Sequence, residues 1–83
     1  MSHILHDLHS EFPDDSATLH RLKLENRHFQ TLSERYHEVN KEVHRIESGV
    51  EAASDERVET LKKERLKLLD DVAIMIGQAK TAA

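Results

Sequence analysis

Leu22, Phe29, Tyr36 and Val43 fall seven residues apart, and Leu32, Val39 and Ile46 lie three beyond the last three of that series. Apolar residues recurring at alternating steps of three and four return to one stripe of a helix, which makes this an a/d heptad seam. Only Glu25 interrupts the d positions. Such a stripe needs an apolar partner, and the chain carries one of its own: Val58, Leu61, Leu68, Val72, Met75 and Ala79 keep the same phase, with Arg65 as the polar exception. The connecting Gly49-Val50-Glu51-Ala52-Ala53 is short, so the two helices are expected to be antiparallel neighbours in a hairpin.

Residues 1–13 read as an N-terminal segment with some helical pattern, and 14–83 as the hairpin, with helices over about 14–49 and 54–80. Asp14, Asp15 and Ser16 follow Pro13 and offer an N-cap with favourable negative charge. Lys41, His44 and Arg45 precede Gly49, as the helix dipole and a left-handed C-cap prefer. Ser54, followed by Asp55 and Glu56, is the expected cap of the later helix. An unbroken first helix of roughly 34 residues would be about 50 Å long.

Pairing Ile46 with Val58 and Val43 with Leu61 brings Tyr36 beside Leu68, Leu32 beside Val72 and Phe29 beside Met75. That register leaves a surplus on the later helix. Leu66, Leu69, Ala73 and Ile76 form a second stripe whose flanking positions across the hairpin are polar, such as Ser33 and Asn26. A second copy of the chain is the economical cover, so the expected architecture is an all-α hairpin associating into a helical bundle, a dimer or higher homo-oligomer. In the N-terminal segment Ile4, Leu8 and Phe12 recur every four residues and can lie over Leu19 and Leu22.

Composition narrows the functional classes. A chain of 83 residues is one small domain with little room for a core, so its stability must come from regular helix packing or a partner. No cysteine is present, which removes disulfides and thiolate metal sites and fits a reducing, cytoplasmic setting. The N-terminus lacks a basic, then apolar, leader pattern, and the longest apolar run, Val72 to Ile76, is far short of the ~20 residues of a membrane span. Net charge is -4 with positive and negative residues interleaved, which argues against non-specific nucleic-acid binding.

Several stretches together carry a family likeness: His6-Asp7-Leu8-His9-Ser10-Glu11-Phe12-Pro13, the Leu22-Lys23 pair with Phe29, Tyr36 through Glu47, and Leu61-Lys62-Lys63-Glu64-Arg65-Leu66 running to Leu68 and Asp70. In these the chain resembles the YdcH-like family of small bacterial proteins over nearly its whole length. The resemblance implies a short helical hairpin, a domain of unknown function with no established activity or catalytic residues. Where members usually read Leu-Lys-Asp, this chain reads Leu68-Leu69-Asp70, which widens the second stripe.

Candidate sites follow from residue type and spacing. Arg65 stands at an a position opposite Val39, within reach of Glu38 and Glu42, so a half-buried charge pair that sets helix register is expected there. His3, His6 and His9 are spaced three apart, yet each step turns about 60° backwards on an α-helix, so they are weak metal candidates and no metal or other cofactor is expected. His20, His28, His37 and His44 sit at f, g, b and b, away from the seam. Lys62, Lys63, Arg65 and Lys67 form the densest positive cluster, the basis of an alternative reading as a nucleic-acid-associated regulator. Stacking aromatics are missing from it, and Glu59, Glu64, Asp70 and Asp71 break its field. The N-terminal histidines give the other alternative, a metal- or pH-responsive assembly. No Gly-rich phosphate loop, cysteine nucleophile or nucleophile-elbow serine occurs, so the chain is expected not to be an enzyme but an interaction or structural module with an unidentified protein partner.

Overall fold

A computed structural model describes residues 8–81. Four α-helices follow in order: α1 over Leu8–Glu11, α2 over Ser16–Glu25, α3 over Arg27–Glu47 and α4 over Asp55–Thr81, with a 3₁₀ turn at Pro13–Asp15 before α2. The long pair α3 and α4 packs together as the expected all-α hairpin. Of the N-terminal segment, residues 1–7 lie outside the described residues.

The turn between α3 and α4 forms as its sequence dictates. Gly49 adopts φ +85, the left-handed conformation that side-chain-bearing residues resist. There its N–H donates to Ile46 O at 3.1 Å, and the Val50 N–H donates to Arg45 O at 3.0 Å, the paired bonds of a Schellman cap. Five residues on, the Ser54 hydroxyl accepts from the Arg57 N–H at 3.1 Å and caps α4.

The expected single helix over 14–49 is corrected by a break at Asn26. Asn26 is extended at φ -120, ψ 111, and its side-chain oxygen accepts the Phe29 N–H at 2.9 Å. It thereby ends α2 and caps α3. The other groups freed at the joint are paired as well: Asn26 N–H to Leu22 O at 2.8 Å, Gln30 N–H to Asn26 O at 3.0 Å, and the Gln30 amide to Lys23 O at 2.7 Å. The bend is held by burial: with α2 laid against α4, Leu19 and Ile76 are 2% and 4% exposed. By turning at Asn26, α2 lies on the C-terminal part of α4, where the Arg21 guanidinium donates to Ala79 O at 3.3 Å and Lys80 Nζ lies 2.5 Å from Asp15 Oδ1. Neither Asp14, Asp15 nor Ser16 caps a helix through its side chain; Pro13 to Asp15 make the 3₁₀ turn and α2 starts at Ser16.

The core follows the seam. Phe29, Tyr36, Val39 and Val43 of α3 and Leu61, Leu68 and Val72 of α4 are buried, joined by Leu8, Leu19, Leu22 and Ile76. Phe12, Leu32, Ile46, Leu69, Met75 and Ala79 pack around them. The N-terminal strap of Leu8 and Phe12 thus reaches the same core as Leu19 and Leu22, as their spacing suggests. Burying each large side chain stabilises by about 1.5–3 kcal/mol, which is how a chain this small holds a hairpin in place. No described helix is long and apolar enough to cross a membrane.

Candidate interaction surface

Cross-helix polar contacts edge the seam. Arg35 binds Glu64 through two hydrogen bonds of 2.5 and 2.9 Å, Arg57 pairs with Glu42, and Lys62 Nζ lies 2.8 Å from Glu47 Oε2. The Arg35 bond holds the Glu64 carboxyl below its usual range and raises the guanidinium, while the Lys62 bond lowers Glu47.

Arg65 does not meet Glu38 or Glu42 as expected. Its guanidinium donates to Asn40 Oδ1 at 3.1 Å, and Asn40 is a buried polar side chain, 3% exposed. The two glutamates are engaged elsewhere on α3's outer edges, Glu42 with Arg57 and Glu38 3.8 Å from Arg35. The physical reason is position: Asn40 stands at e, beside the seam on the side Arg65 approaches, and a neutral amide partner spares the half-buried Arg65 from sharing the site with a second desolvated charge. Arg65 and Asn40 therefore form the polar layer within the apolar seam.

The outer stripe of α4 is realised in part. Leu66 is 60% exposed and Ala73 is exposed, while Leu69 is half-buried against the core. Ile76 is a correction: it is 4% exposed, a core residue, because the break at Asn26 lays α2 over that end of α4. Ile74, which the heptad reading did not single out, is 59% exposed. Its place one turn beyond Asp70 and two beyond Leu66 was the available signal. The outer face of α4 thus presents Leu66, Ala73 and Ile74, with Leu69 at its edge and Gly77 beyond, where an added Cβ would meet nothing within 4 Å. Two shallow hollows flank Leu66, one of about 490 Å3 with Val58, Glu59 and Lys63, the other of about 330 Å3 with Tyr36, Arg65 and Leu69.

The remaining candidates are dispersed. His9 is exposed and its Nδ1 lies 3.3 Å from the Ser16 hydroxyl; His3 and His6 lie outside the described residues. Among the described residues no three acidic or histidine side chains converge on a metal-sized site. His20, His28, His37 and His44 are all exposed. In the basic cluster Lys62 is paired with Glu47 and Lys67, at 3.7 Å, with Asp71, while Arg65 donates to the neutral Asn40, so two of its four positive charges have acidic partners within the chain. A third groove of about 510 Å3 lies between α1, α2 and α3, floored by Leu8, Leu19 and Phe29 and rimmed by His9, His37 and Lys41.

These features define a small all-α hairpin protein with a polar layer inside its seam and an apolar strip on its outer helix. Residues 29–75, which span most of α3, the turn and most of α4, match the family described as "Protein of unknown function (DUF465)", and the chain belongs to that family. No curated protein and no solved structure matches it. The family match covers the hairpin and leaves α1 and α2 outside it.

Proposed function

We propose that the chain is a non-catalytic interaction module of the bacterial YdcH-like kind, which self-associates through the outer face of α4 in the cytoplasm and offers its charged faces to a protein partner. The carrying observation is Leu66, 60% exposed together with Ala73 and Ile74 on a helix whose opposite face is already filled by its own hairpin. An apolar strip of this kind on a chain with so small a core gains most from a second helix laid along it. The non-catalytic reading is supported by the surface: the hollows are shallow, and among the described residues no three acidic or histidine side chains gather at one point. The ion pairs of Lys62 and Lys67 within the chain weigh against the nucleic-acid alternative.

Sedimentation equilibrium tests the reading. The wild-type chain is expected to be a dimer or larger at about 100 µM, and Leu66→Glu a folded monomer with unchanged helical circular dichroism, since a charge at the centre of a small interface costs several kcal/mol. A wild-type monomer at that concentration, or an associated Leu66→Glu, overturns it.

A further inference from the structure

Along the outer side of α4, from one turn beyond Glu59, Lys62, Lys63 and Lys67 come first and Asp70 and Asp71 follow. Lys62 and Lys67 have partners within the chain, and Lys67 takes Asp71 as its own. Lys63 and Asp70 make no ion pair among the described residues, and both are exposed. They stand seven residues apart, so they share one flank of the apolar strip about 10 Å apart along the axis, with Leu66 between them.

We infer that a second copy of this chain lies antiparallel along α4, with Leu66 beside the partner's Leu69 and Lys63 within one helical turn of the partner's Asp70 on the same flank, an inference that rests on the self-association reading above. Two-fold symmetry then makes every contact twice, so Lys63 and Asp70 of each chain close two interchain pairs. Orientation follows from what a parallel pairing would bring together. Side by side in parallel, each residue meets its own copy, and the strip would face Lys62 with the partner's Lys62 and Glu59 with the partner's Glu59. The antiparallel pairing instead lays the aliphatic stem of Lys62 over the partner's Ala73, a side chain small enough to receive it. Shape agrees with charge. Leu66 is a ridge between two hollows, so a partner helix can seat its own leucine in one of them while Leu66 enters the matching hollow opposite.

Charge reversal discriminates the arrangement. Lys63→Glu alone sets a glutamate against the partner's Asp70 at both contacts, and Asp70→Lys alone sets a lysine against the partner's Lys63 at both; each is expected to raise the dimer dissociation constant about tenfold. An equimolar mixture of the two variants restores both attractive pairs at once and is expected to recover the wild-type constant. Sedimentation equilibrium reads all three samples, and circular dichroism verifies that each variant keeps its helix content. If the wild-type chain associates and Leu66→Glu abolishes association, yet the mixture gains nothing over the single variants, the antiparallel pairing is overturned while the α4 face stands. If both single variants associate as tightly as wild type, the pairing is overturned in the same way. Should the wild-type chain not associate at all, the inference falls together with the reading beneath it.

Discussion

Asn26→Ala puts the origin of the bent chain to a quantitative test. The substitution removes the side-chain oxygen that accepts the Phe29 N–H at 2.9 Å and leaves alanine, the best helix former, at the junction. Two outcomes compete. If α2 and α3 fused into one straight helix, the change would gain about 0.7 kcal/mol of helix propensity. It would gain little hydrogen bonding, because the backbone groups at the joint are already paired with Leu22, Asn26 and the Gln30 side chain. Against this, straightening would lift α2 off α4 and re-expose Leu19 and Ile76, now 2% and 4% exposed, at about 1.5–3 kcal/mol each. Burial wins by several-fold, so the bend persists and only the cap is lost. The variant is expected to be less stable by about 1 kcal/mol, a drop in Tm of about 4–8 °C for a chain of this size, with helix content unchanged. Asn26→Asp, which restores an accepting oxygen, is expected to melt within a degree or two of wild type. Thermal melts followed by far-ultraviolet circular dichroism measure both. An Asn26→Ala protein that is more stable and more helical than wild type would refute the argument that tertiary burial, and not local sequence, bends the chain here.

The polar layer makes a second prediction. Arg65→Leu strips the buried Asn40 oxygen of its guanidinium donor and is expected to cost about 1–2 kcal/mol in urea melts, with most of that recovered in Arg65→Leu/Asn40→Leu, where both polar groups go together. A double variant no better than the single one would show that the pair does not act as a unit. The third prediction concerns acid. Glu64 and Glu47 titrate below the ordinary 4.5 in the folded chain, so their contribution is complete above that value and is lost as pH falls through their lowered values. Stability should therefore be flat from about pH 8 to 6 and decline below about pH 4.5, and Glu64→Gln should soften the decline; an equally steep acid limb in that variant would count against the Arg35–Glu64 pair as a contributor.

The hairpin was legible because its signal is redundant. Six seam residues of α3, with Leu22 of α2 before them, and six of α4 point to one phase, and the cap chemistry at Gly49 and Ser54 marks the turn on both sides. The bend was not legible because Leu22 to Phe29 keeps the seven-residue spacing straight across Asn26, and nothing local records the burial of Leu19 and Ile76 that holds it. The same miss propagated to Ile76, whose cover is supplied by α2 only after the chain turns. For Arg65 the sequence identified a polar exception in an apolar seam but not its partner. Charge attraction favoured the glutamates, whereas side-chain reach selected Asn40 at the neighbouring position.

The ion pairs along the hairpin have a consequence apart from their small contribution to stability. An apolar seam with a seven-residue period is satisfied almost as well when one helix slides by a heptad, so leucines and valines alone do not distinguish the shifted hairpins. Arg35 and Glu42 are seven apart on α3, and Arg57 and Glu64 are seven apart on α4, with Arg35 facing Glu64 and Glu42 facing Arg57. Slide α4 one heptad one way and Arg57 comes to Arg35; slide it the other way and Glu64 comes to Glu42. Both shifted states bring like charges together where the native one brings opposites. Two exposed arginines and two half-buried glutamates, none of them worth much as a contact, thus give the chain a single alignment that its apolar seam alone does not specify.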